Sequence, residues 1–74
     1  MLLSDFNLGQ SGVVKELNNS PAIKSRLNDL GVVKGVKITL IRFAPAGDPI
    51  LIKVRDFYLA VRKSEATKIV MEKI

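Results

Sequence analysis

The stretch Ala44-Pro45-Ala46-Gly47-Asp48-Pro49 sits between two apolar runs that alternate with period two. Before it, Val36, Ile38 and Leu40 alternate with Lys37 and Thr39. After it, Ile50, Ile52 and Val54 alternate with Leu51, Lys53 and Arg55. Alternating patterning on both sides of a Pro/Gly/Asp cluster predicts a β-hairpin, because successive strand side chains point to opposite faces. Gly47 is the residue of that turn freest to take a left-handed conformation.

Outward from the hairpin, the other elements are short. Leu8-Gly9-Gln10-Ser11-Gly12 reads as a loop, and Val13 to Leu17 as a strand. Ser20-Pro21 predicts a helix start, with Ser20 as the cap and Pro21 at the first helical position. Ile23, Leu27 and Leu30 recur at i, i+4 and i+7, giving one apolar stripe expected to face the core. Gly31 falls where a left-handed residue would end the helix. Gly35 fits the third position of a type II turn. Asp56 is expected to turn the chain into Phe57–Arg62, where Phe57, Leu59 and Val61 share one face. Ser64 is expected to cap a last helical turn through Lys68, and Ile69-Val70-Met71 to close as a terminal strand. An open sheet of such strands would leave long unpaired edges. The expectation is one mainly β domain over residues 1–74: a small SH3-like barrel of about five strands, one short amphipathic helix and a short C-terminal helical turn.

Composition narrows the chemistry. The 74 residues contain no cysteine and no histidine, which removes the usual nucleophile–base pairs and the thiolate and imidazole ligands of transition metals. Gly31 and Gly35 lack the Gly-Lys-Ser/Thr ending of a phosphate-cradling loop. No enzyme is read, and no cofactor or metal site. The carboxylates Asp5, Glu16, Asp29, Asp48, Asp56, Glu65 and Glu72 are dispersed along the chain. Asp48 is read first as a turn former. The opening residues lack a basic stretch followed by a long apolar one, so no signal peptide is read. No apolar run reaches the ~20 residues of a membrane helix, and a cytoplasmic domain is expected. The net charge of +5 admits nucleic acid or an anionic surface as partner. Against nucleic acid stand the scattered basic residues and the lack of an aromatic cluster for base stacking.

Several segments together resemble one family. Ile23-Lys24-Ser25-Arg26-Leu27-Asn28-Asp29-Leu30-Gly31, the hairpin tip Ala44–Ile50 and the string Leu59-Ala60-Val61-Arg62-Lys63-Ser64-Glu65-Ala66 resemble the ferrous iron transport protein A (FeoA) family. The resemblance runs from about Leu8 to Met71. Two departures are visible: Lys34 stands where the family usually has Pro before Gly35, and Asp56 where it commonly has Gly. Asp tolerates the left-handed geometry such a turn requires. The resemblance implies a stand-alone SH3-like domain acting as a non-enzymatic accessory of bacterial ferrous iron uptake. It implies docking on a FeoB-type membrane protein with a cytoplasmic GTPase domain, and ferrous iron association only through the family. The same barrel occurs as the C-terminal domain of iron-dependent repressors; a start at Met1, seven residues before the motif, argues against that alternative. A nucleic-acid-binding barrel using Lys37, Arg42, Lys53, Arg55 and Arg62 is the rival from a different class.

The candidate partner-binding residues are Arg26, Phe43, Pro45, Asp48, Leu51 and Tyr58. Phe43, Ile41 and Leu51 break the alternation beside the hairpin turn, which predicts either a bulge or an exposed apolar patch. Tyr58 alternates outward near Lys53 and Arg55. Arg26 is read as a solvated helix residue, a surface partner of Asp29, or a planar fork offered to a partner protein.

Overall fold

In the computed structural model, which describes residues 1–74, the hairpin is built as its pattern demands. Strand β2 (Lys37–Phe43) pairs antiparallel with β3 (Ile50–Val54), and Phe43 opposes Ile50 across the turn. Strand β4 (Phe57–Val61) extends this meander. Strand β1 (Ser11–Leu17) pairs with the other side of β2 and with β5 (Ile69–Lys73), giving the sheet order β4-β3-β2-β1-β5. Helix α1 (Pro21–Asp29) links β1 to β2, and the single turn α2 (Lys63–Ala66) links the two edge strands. The result is the five-stranded, SH3-like architecture expected from the sequence.

The inward positions of the alternating runs form the core. Val36, Ile38, Leu40, Ile50, Ile52 and Val54 are all buried, joined by Val14, Leu17 and Val61 from flanking strands and by Leu27 from α1. The N-terminus adds a layer that hydropathy patterning does not announce. Leu3–Asp5 forms a 3₁₀ turn, and Leu3 and Phe6 are buried in the same core. Leu2 bridges to Val70, fastening this segment beside β5.

Several local expectations are corrected. The side chain of Ser20 makes no capping bond; its carbonyl instead accepts the Lys24 amide. Leu30 is 40% exposed, so the apolar stripe of α1 narrows to buried Leu27 and partly buried Ile23. Phe57 is also 40% exposed, its ring packed at the helix end beside Gly31. Arg62, not Ser64, precedes the first residue of α2. The positive φ of the β3–β4 turn falls on Arg55 (55°), the first central residue of a two-residue turn between paired Val54 and Phe57, and not on Asp56.

Gly31 and Gly35 behave as expected, with φ of 94° and 86°. Gly35 is the third residue of a turn closed by the Val36 amide donating to the Val33 carbonyl, and its amide donates to Val14. A Cβ at Gly35 would meet nothing within 4 Å. Gly35→Val should therefore destabilise through backbone conformation alone, by about 1 kcal/mol. Urea unfolding checks this; an unchanged midpoint would contradict the turn assignment.

Candidate functional site

The outer face of the β2–β3 hairpin carries the apolar residues that break the alternation. Leu40 opposes Ile52 and Arg42 opposes Leu51, so Ile41 is the extra residue of a β-bulge. Both sequence expectations hold at once: the strand is bulged, and the bulge tips Ile41 and Phe43 into solvent, 37% and 40% exposed. Beside them lies an open groove of about 380 Å³. Its lining comes from Phe43, Ala44, Pro45, Pro49, Ile50, Leu51 and Ala60, together with Arg42. The register explains the convergence, since Leu51 lies between Arg42 on β2 and Ala60 on β4. Two prolines and a paired sheet hold this surface in place, so little conformational entropy remains to be lost on binding.

Three of the six candidate residues, Phe43, Pro45 and Leu51, meet in this groove. Tyr58 lies two residues along β4 from Ala60, opposite Lys53. It is 59% exposed, and the Lys53 ammonium sits 5.9 Å from its ring centroid. Asp48 turns away from the groove. It does not bond its own turn; its carboxylate accepts the Lys63 amide at 2.9 Å, tying the hairpin tip to the start of α2. The turn itself is closed by the Gly47 amide donating to Ala44, with Gly47 at φ 88°. The Asp48–Pro49 peptide is cis.

Arg26 does not pair with Asp29. Its guanidinium forms an ion pair with Glu65 on α2, the one salt bridge of the chain. Glu65 is only 9% exposed. Its other carboxylate oxygen accepts the Arg62 amide at 3.2 Å, and its backbone carbonyl accepts the Asn19 side-chain amide at 3.1 Å. Sequence reasoning missed this junction. The only sequence signal for it is the placement of Glu65 at the third position of α2, where a carboxylate reaches back to an N-terminal amide.

No three Asp or Glu side chains come together as a group that could hold a metal ion. No helix is long and apolar enough to cross a membrane. What the surface offers is an open, mostly apolar groove whose lining includes one cation, Arg42.

These features define the chain as an SH3-like barrel with an exposed apolar groove at one hairpin tip. The FeoA domain model matches residues 1–73, and the chain belongs to the FeoA family. Over its whole length it is 30% identical to a Fe(2+) transport protein A/Fe(2+) transporter FeoB fusion protein of Porphyromonas gingivalis, and it spans 9% of that relative's length. The FeoA protein of Chlorobium tepidum superposes with a TM-score of 0.95 at 38% identity, covering 100% of this chain and 70% of the other. Stenotrophomonas maltophilia FeoA, an SH3 domain protein solved in complex with zinc, gives a TM-score of 0.84 at 36% identity, covering 97% and 89%.

Proposed function

We propose that this chain is a non-enzymatic accessory of ferrous iron uptake that docks on the cytoplasmic, GTPase-bearing part of a FeoB-type membrane transporter. The observation that carries this reading is the relative in which a domain similar to the whole of this chain is continuous with a FeoB transporter. Fusion holds two modules at high effective concentration, an arrangement suited to partners that work in contact. The groove at the hairpin tip is the surface for that contact. Phe43 and Leu51 serve as apolar anchors, and Arg42 steers and orients the partner.

Co-purification of this chain with the soluble part of a FeoB-type partner tests the reading. Leu51→Asp places a charge in the floor of the groove and should lower affinity tenfold or more, the loss expected at an interface anchor. Tyr58→Ala, at the groove's flank, should lower it less. Both variants should keep the circular dichroism spectrum of the parent, since both side chains face outward. Normal binding by both would remove the groove from the interface.

A further inference from the structure

The other end of the same outer face is basic. Lys37, Thr39, Lys53 and Arg55 line a concavity of about 220 Å³ with no apolar residue in its wall. The register brings them together: Thr39 opposes Lys53, and the β2–β3 pairing continues toward Lys37 and Arg55 at the open end of the hairpin. Like charges gathered around one small concavity repel, so this placement works against folding. No ion pair in the chain offsets it. None of the three cations makes an ion pair; Asp56, next in the turn, makes none either, and the chain's one salt bridge lies at Arg26 and Glu65. Arg55 also stands in a left-handed conformation that a long side chain disfavours. Local choices that oppose stability concentrate at functional sites.

The side chains are also arranged. Lys53 sits over the Tyr58 ring, and the Thr39 hydroxyl shares a 2.7 Å hydrogen bond with Ser11. Three cations and a hydroxyl around a small concavity suit a compact, multiply charged oxyanion. We infer that Lys37, Thr39, Lys53 and Arg55 form a binding site for a phosphate group, distinct from the apolar groove. Such a group is carried by a free phosphate compound or by a phospholipid head group. An extended nucleic-acid track is disfavoured, because one aromatic ring, that of Tyr58, stacks with these cations and successive bases need successive stacking surfaces.

Amide chemical shifts of the isotope-labelled 74-residue chain provide the test, with tripolyphosphate as one probe and lipid vesicles as the other. The vesicles are phosphatidylcholine with or without phosphatidylglycerol. Saturable shifts at Thr39, Lys53 and Arg55 with tripolyphosphate support the site and name a soluble ligand. Losses of the same signals only with phosphatidylglycerol vesicles support it and name the head group. Lys53→Gln/Arg55→Gln should weaken the effective probe about 30-fold, while Lys24→Gln/Lys63→Gln, on α1 and α2, should change it little. No localised response to either probe, or equal losses from both double variants, would overturn the proposal. So would binding seen only with oligonucleotides and growing with their length.

Discussion

Gly12→Val is expected to lower the melting temperature by about 15 °C, corresponding to roughly 3 kcal/mol for a domain of this size. Gly12 lies within β1, not in the loop that the sequence suggests, and no turn conformation requires glycine there. The constraint is contact. A Cβ at this position would lie 2.7 Å from Cζ of Phe6 and 2.8 Å from the carbonyl oxygen of Glu72. Neither neighbour can retreat cheaply. Phe6 is buried in the core, and Glu72 belongs to β5, held against β1 by the pairing of Gly12 with Lys73. Against a total stability of about 5 kcal/mol, the low end for folded domains, this is most of what the fold has. Gly12→Ala should already show much of the loss, since the first carbon makes both clashes. Gly9→Ala serves as the contrast: its φ of 79° predicts mild strain, with nothing within 4 Å to collide with. Thermal unfolding of the three variants decides the matter. An unchanged Gly12→Ala would mean that the Phe6 ring is not seated on this glycine.

Gly12 illustrates what a sequence transmits and what it hides. The β2–β3 hairpin is legible because period two over both strands has one physical meaning, and every inward residue predicted from it is buried. Gly31 and Gly35 are legible because their neighbours already describe a helix end and a tight turn. Leu3 and Phe6 are not, because a three-residue 3₁₀ turn is too short to establish a period. The left-handed residue between β3 and β4 is misplaced because arginine carries no turn preference, whereas its neighbour aspartate does. On the surface, Phe43 and Leu51 betray themselves by violating alternation, so the groove is partly readable. Lys37, Lys53 and Arg55 are readable as strand-borne cations, but their gathering in one concavity depends on cross-strand register, which a bulge at Ile41 could have shifted. Arg26 and Glu65 are 39 residues apart, and nothing local to either names the other.

That ion pair separates a structural role for Arg26 from a docking role. Arg26→Ala should lower the melting temperature by about 10 °C, roughly 2 kcal/mol. The asymmetry of the pair sets the size. The Arg26 side chain is 56% exposed and loses little hydration, whereas that of Glu65 is 11% exposed. Removing the arginine leaves a nearly buried carboxylate with the Arg62 amide as its remaining donor. A fully buried broken pair costs about 3–5 kcal/mol, and water reaching the exposed side reduces that figure. Glu65→Gln should cost less, because a neutral amide oxygen can still accept from Arg62 and no charge is stranded. Arg26→Ala/Glu65→Gln should then be more stable than Arg26→Ala alone, a rescue that a double-mutant cycle reads directly. Measured below every unfolding midpoint, the affinity of Arg26→Ala for a FeoB-type partner should match the parent, since the guanidinium is engaged inside the chain and lies outside the lining of the groove. The opposite pattern, an unchanged melting temperature with lost association, would return Arg26 to the interface and move the docking surface from the hairpin tip toward α1.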